Sequence, residues 1–271
     1  SKEKEKEDGR KFSGGGPPAM GFYTGNIAYI LSREGGHSDD LKYLGNVLDD
    51  YPWNEKGWWS QDIDVKTGEP KVSMDKPSII NKCAVMAMAT GMLSKALGDI
   101  DSDLAERLKR KTDTCIYNQI IPTQLDDGFW HYNLNGNDPD SKDILGYFML
   151  TTHALMELQD FNNAYNEPKL NAAIRKAQMF SLNCIAPMAD PNTGPPCTEH
   201  TTSNTPSHYN LAEETKRGFQ LGYILVSAGF FEEGIKVMDA SLEHFAYGDA
   251  GMDGIHAAAP SAAILERLDQ R

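Results

Sequence analysis

The chain has 271 residues, 40% hydrophobic and 9% aromatic, which is enough to bury the core of one sizeable domain and too apolar for a disordered polymer. Its net charge of -13, from 39 Asp and Glu against 26 Lys and Arg, excludes a general nucleic-acid surface, which needs a basic stripe to neutralise phosphates. No run reaches the ~18 to 20 apolar residues of a membrane span, and no charged-then-apolar leader opens the sequence.

Residues 1–19 begin SKEKEKEDGRKFSGGGPP, charged and then rich in Gly and Pro, and predict a solvated tail or linker ahead of one domain over 20–271. An inner-type helix is expected near Phe22 to Arg33, and a short striped helix over Asp39 to Asp50. Three further segments are almost free of charge over helical lengths: Ile79 to Leu97, Ile144 to Leu158 and Gly218 to Phe231. A helix that is apolar nearly all round is buried on most sides, so these predict inner helices of a layered fold. Between them, Asp101 to Ile121, Lys169 to Ile185 and Glu232 to Ala246 carry one apolar stripe on a charged background, as surface helices do. Pro168 and the acidic Asp99, Asp101 and Asp103 suit helix starts, and Gly35 and Gly98 suit helix stops. Ala257 to Leu268 completes the alternation at about nine helices.

The connections alternate in length. Inner-to-outer links are short, whereas outer-to-inner links are long, at roughly 51–76, 122–142, 186–211 and 247–255. Stacked helix hairpins place every long link at one end, here the N-terminal ends of the inner helices, and long links in a compact domain are usually functional. All four tryptophans and four of the seven histidines lie in or beside these links. The first holds Trp53, Trp58, Trp59 and Gln61; the second, Asp126, Asp127, Phe129, Trp130, His131 and Tyr132. The third holds Glu199, His200, Asn204, His208 and Tyr209, and the fourth Asp249, Asp253 and His256. Aromatics beside carboxylates and imidazoles suit a sugar, whose ring face stacks while its hydroxyls take hydrogen bonds.

The stretch DDGFWHYNLNGNDPDSKDILGYFMLTTHALMEL resembles the loop-plus-inner-helix unit of the α/α-toroid carbohydrate-active enzymes, the six-hairpin glycosidases and toroid polysaccharide lyases. The resemblance implies an all-α α/α toroid of alternating inner and outer helices. The count of about five inner helices, against six in a closed toroid, leaves the ring incomplete or the chain a fragment. It further implies an oligo- or polysaccharide substrate, and a secreted or periplasmic location.

Two chemistries fit. A polysaccharide lyase needs a Tyr or His base at the uronic acid C5 and a group that neutralises the carboxylate. His131, Tyr132, His208 and Tyr209 offer the base and Asn204 the neutralising group, with Trp58, Trp59, Trp130, His200 and Asp253 as further substrate contacts. A glycoside hydrolase needs two carboxylates across the bond, for which Asp126 or Asp127 with Glu199 is the pairing expected. The His-Tyr pairs favour the lyase, and the scarcity of arginine in the links counts against it. Two other classes stay open: a toroid-fold cyclase or isomerase of an apolar small molecule, and a non-catalytic helical scaffold.

Simpler roles compete at several positions. Asp126-Asp127-Gly128 is equally a turn, His131 and Tyr132 could pack under their loop, and His153 reads as a satisfied core histidine. Met86, Met88 and Met92 read as core filling, and Cys83 and Cys115 as small buried residues. Cys184 and Cys197 flank one loop and could bridge it in an oxidising compartment. No CxxC pair points to structural zinc, and Asp138, Asp140 and Asp143 lack EF-hand spacing, so neither metal nor cofactor is expected.

Overall fold

The computed structural model describes residues 17–64, 66–134, 145–186 and 215–247. They are mostly helical, in eight α-helices: α1 (Pro17–Glu34), α2 (Ser38–Asp49), α3 (Ile80–Leu97), α4 (Ser102–Cys115), α5 (Leu145–Phe161), α6 (Pro168–Phe180), α7 (Thr215–Ser227) and α8 (Phe231–Tyr247). Among these residues the only paired strands are β1 (Trp53–Asn54) and β2 (Trp58–Trp59), a short antiparallel pair within the first long link. The predicted helix at Ala257 to Leu268 lies outside the described residues. Helix α1 starts at Pro17, inside the stretch predicted as tail, because proline suits a first helical turn.

Helix α3 shows why the apolar runs lie inside. Fifteen of its eighteen residues are buried, so no face is left for water. The outer helices bury stripes instead. On α4 the buried residues Leu104, Ala105, Leu108, Lys111, Thr112 and Cys115 recur at helical spacing, and on α6 Leu170, Ala173, Ile174 and Ala177 do the same. Asp101 caps α4 by accepting from the Leu104 N–H at 3.1 Å, and Pro168 opens α6. The apolar run from Gly218 to Phe231 is one helix and a turn: α7 ends at Ser227, and Gly229 at φ +89° reverses the chain into α8.

The inner helices form a row. α3 packs on α1 and on α5, and α5 packs on α7, while α2 and α4 lie behind α3. Close approach of α3 and α5 depends on Gly91, where a Cβ would lie 2.5 Å from Leu158 Cδ1. Several polar groups in these contacts are paired across helices. Thr90 and Thr112 hydroxyls join α3 to α4 at 2.7 Å, and Asn162 Nδ2 donates to the Gly91 carbonyl at 3.0 Å. Lys111, almost wholly buried, reaches Asp49 across the α2–α4 contact, at 2.8 Å to its carboxylate and 2.5 Å to its carbonyl. Arg107 Nε takes the other carboxylate oxygen at 2.7 Å. Burial of Asp49 alone would raise its pKa, but the hydrogen bonds from Lys111 and Arg107 outweigh it and hold the group below its ordinary 3.8.

Both α4 and α6 end in a feature absent from the sequence pattern: one π-helical turn each, at Ile116–Ile120 and at Ser181–Ile185. A long link departs directly after each of them.

Candidate functional site

The first two long links meet at the N-terminal end of α3. The described residues of the first link are held by their own hydrogen bonds: Asn54 Nδ2 and Trp58 Nε1 both donate to the Met74 carbonyl, at 2.7 and 3.1 Å, and Asp64 closes a turn by accepting from Lys66 and Thr67 N–H. This link is then stitched to the second. Ile79 bridges Asn133, the Ile80 N–H donates to the Tyr132 carbonyl at 2.9 Å, and the Leu134 N–H donates to the Ser78 carbonyl at 3.1 Å.

The Asp-Asp-Gly-aromatic segment is a turn clamped onto α6. Asp127 Oδ1 accepts from the Phe129 N–H at 3.0 Å, and Gln124 Nε2 donates to the carbonyls of Gly128 at 3.1 Å and Ala173 at 2.8 Å. Gly128 has φ +101°, and a Cβ there would lie 2.3 Å from the Lys176 carbonyl oxygen, so only glycine fits. Asp126 and Asp127 are exposed at the tip. The two residues that follow point into the core. Phe129 stacks on Phe148 at 5.2 Å and 7°, and tilts against Phe180. Trp130 is fully buried, and its Nε1 donates to Thr152 Oγ1 at 3.2 Å.

That placement changes the expected role of the tryptophans. Trp58, Trp59 and Trp130 are 5%, 1% and 0% exposed, so their ring faces are taken up by protein and none is open for a sugar to stack on. Trp59 leans on the half-buried Trp53 at 4.6 Å. A large aromatic near a loop serves the core as readily as a ligand, and residue type alone does not separate the two.

Past Trp130 the chain emerges. His131 and Tyr132 are half-buried, and the Tyr132 ring stacks on Tyr147 of α5, centroids 6.0 Å apart at 21°. Gln61, Asp62 and Lys82 lie at the same end, with Lys82 Nζ on the Gln61 carbonyl at 2.9 Å and on Asp62 Oδ2 at 3.4 Å. The structure thus brings Tyr132, the residue after His131, beside Tyr147, where the N-terminal ends of α3 and α5 adjoin. Glu199, His200, Asn204, His208, Tyr209, Asp249, Asp253 and His256 lie outside the described residues.

Sequence reasoning missed a polar chain between α5 and α7. His153, 3% exposed, meets Glu157 at 3.3 Å and sets its ring edgewise against Tyr223 at 4.9 Å. The hydroxyl of the fully buried Tyr223 donates to Asp160 Oδ2 at 2.6 Å. The four-residue spacing of His153 and Glu157 is a readable signal on a helix. The Tyr223–Asp160 contact, between residues 63 apart, has no local one.

Asp160 also lines a pocket of about 490 Å³ at the opposite end of the row, formed by the last turns of α1, α3 and α5. Tyr29, Ser32, Arg33, Lys95, Ala96 and Phe161 complete it. Among the described residues no group of three His, Cys, Asp or Glu is placed to hold a metal ion. No described helix is long and apolar enough to cross a membrane. Cys83 and Cys115 are free and buried, and burial beside Cys83 pushes the Cys115 thiol well up. Cys184 is disulfide-bonded, and the one other cysteine of the chain, Cys197, lies outside the described residues.

No family model matches the sequence, and neither a curated protein nor a solved structure is significantly similar to it.

Proposed function

We propose that the row of inner helices is part of an α/α toroid and that the chain is a glycan-cleaving enzyme acting at its loop end, by polysaccharide-lyase chemistry. The observation that carries this reading is the half-buried Tyr132, stacked on Tyr147 and next to His131, at the N-terminal ends of α3 and α5. Those helix ends carry partial positive charge, which suits the carboxylate of a uronic acid despite the net charge of the chain. The Tyr132 phenolate or the neutral His131 imidazole takes the C5 proton, the C4–C5 double bond forms as the bond from C4 to the glycosidic oxygen breaks, and the leaving oxygen takes a proton from the protonated base or from water, which leaves an unsaturated sugar and a free hydroxyl. His208 and Tyr209, with Asn204 to neutralise the carboxylate, are proposed to complete the cleft from the third link.

The hydrolase alternative is less well supported, because Asp127 uses one oxygen to hold its own turn. The cyclase alternative asks for rings around a cavity, whereas Phe129, Phe148 and Phe180 pack on one another. The Cys184 disulfide favours an oxidising compartment and so a secreted or periplasmic protein.

The test is a panel of uronate-containing and neutral glycans, followed by the ultraviolet absorbance of unsaturated products. Tyr132→Phe and His131→Ala are expected to lower product formation by at least about a hundredfold for whichever residue is the base, and measurably for the other. Full activity in both variants, or cleavage without unsaturated product, would reject the lyase assignment.

A further inference from the structure

The two free thiols lie in one buried seam, between α3 and α4. Cys83 is on the first turn of α3, Cys115 is the last residue of α4, and neither is exposed. The Cys115 Sγ lies 3.9 Å from the Cys83 carbonyl and is hydrogen-bonded to the Cys83 sulfur. The two helices stay close beyond this contact. The Thr90 and Thr112 hydroxyls meet at 2.7 Å, and a Cβ on Gly91 would lie 3.2 Å from Thr112 Cγ2. The first link covers the pair from the N-terminal end of α3. Its Trp59 N–H and its Ser78 hydroxyl are both hydrogen-bonded to the Cys83 sulfur, and the buried Ser78 Oγ has no other partner among the described residues. Core filling needs only small residues here; it does not call for two nucleophiles in contact, with donors gathered on one of them.

We propose that Cys83 and Cys115 form a peroxide-reactive dithiol, in which Cys83 attacks the oxidant and Cys115 then closes a disulfide that ties α3 to α4. The two sulfurs differ in the sense this order requires. Burial disfavours both thiolates, but at Cys83 the hydrogen bonds from Cys115, Ser78 and the Trp59 N–H, with the charge of Lys82, outweigh it and hold the thiol below its ordinary 9.0. At Cys115 burial and the bond to Cys83 both push the thiol up, so it keeps its proton. In the first step the Cys83 thiolate attacks one peroxide oxygen and the O–O bond breaks. The departing hydroxide takes up the proton that Cys83 released, which leaves a sulfenic acid and one water. In the second step the Cys115 sulfur attacks that of Cys83, the S–O bond breaks, and hydroxide leaves with the Cys115 proton as a second water. Two thiols have lost two electrons and the peroxide has gained them. Hydrogen peroxide is small enough to enter when the first link opens locally, and links open more readily than core helices. The new bond lies directly ahead of the π turn Ile116–Ile120, after which the second link departs. The inference does not depend on the proposed lyase activity.

The experiment treats the full native chain with excess hydrogen peroxide, alkylates the thiols that remain and reads the digested peptides by mass. The parent is expected to yield a peptide pair joined through Cys83 and Cys115, lighter by two hydrogen atoms than the separate peptides. The bond closes a loop between residues 32 apart, so the oxidised chain should melt at least about 5 °C above the untreated one. Cys115→Ala should stop at a sulfenic acid on Cys83, trapped with dimedone, and Cys83→Ala should leave Cys115 unoxidised at the same dose. Oxygen adducts on both sulfurs without a cross-link would overturn the pair. So would thiols that stay unchanged in the native chain while a denatured sample reacts, or a cross-linked chain that melts below the untreated one. Faster oxidation of Cys115 in Cys83→Ala than of Cys83 in Cys115→Ala would overturn the order of attack.

Discussion

The two ends of the inner helices are built on opposite plans. At the N-terminal end, two long links are laced together by backbone hydrogen bonds over an aromatic floor of Trp59, Phe129 and Trp130, with His131 and Tyr132 half-buried above it. At the C-terminal end the connections are short, the floor is half open, and charged side chains lie directly against the rings of Tyr29 and Phe161. Rigidity at one end comes from apolar burial and at the other from electrostatics across exposed groups. The first is worth far more in stability, whereas the second leaves groups able to change partners.

This contrast can be broken most sharply at Trp130. Trp130→Ala removes a fully buried indole and leaves the Thr152 hydroxyl without its donor; a loss of about 3–5 kcal/mol in urea denaturation is expected. Gly128→Ala should follow at about 3 kcal/mol, combining a positive φ with a Cβ forced against the Lys176 carbonyl. A Gly128→Ala protein as stable as the parent would show that the turn is not clamped to α6.

Asp49 sharpens the comparison from the outer layer. Asp49→Asn leaves the almost buried Lys111 without its carboxylate, and about 2 kcal/mol should be lost at neutral pH. The pH dependence has a definite sign. The folded carboxyl titrates below its ordinary 3.8, so the folded state binds this proton less readily than the unfolded one. Its contribution is therefore complete above 3.8 and disappears as the pH falls through the lower folded value. The parent and Asp49→Asn curves should converge in that acidic window; parallel curves would deny the linkage.

The smallest effects on stability are expected where function is proposed. Tyr132→Phe removes a hydroxyl from a half-buried ring that keeps its stacking on Tyr147, so thermal unfolding should move by no more than about 0.5 kcal/mol even as cleavage is lost. Lys95→Gln, on the exposed far end, should cost equally little.

The helical layering was legible because its signal is local. A run such as that of α3, apolar on every side, has no arrangement in water except an inner one, and the stripe on α4 has none except a surface one. The end at which the first two links gather also followed, from the parity of helix hairpins. What was not legible was the direction of individual rings. In GFWHY, the change from core-facing Phe129 and Trp130 to half-exposed His131 and Tyr132 is fixed by bridges to Gln124 and Ile79 that no local pattern announces. The same limit hid the far pocket. Arg33 and Lys95 read as ordinary basic residues in last helical turns, and only the packing of α1, α3 and α5 side by side brings them to one space.

The π turns closing α4 and α6 have a consequence for how such a molecule is made. Each widens the helix by a single residue immediately before a long link, in successive hairpins and at the same place. One residue corresponds to about 100° of helical rotation. Deleting one from Ile116–Ile120 would therefore leave the hairpin intact but aim everything after it in another direction. The direction in which the described second link leaves α4 is thereby a property of the outer helix.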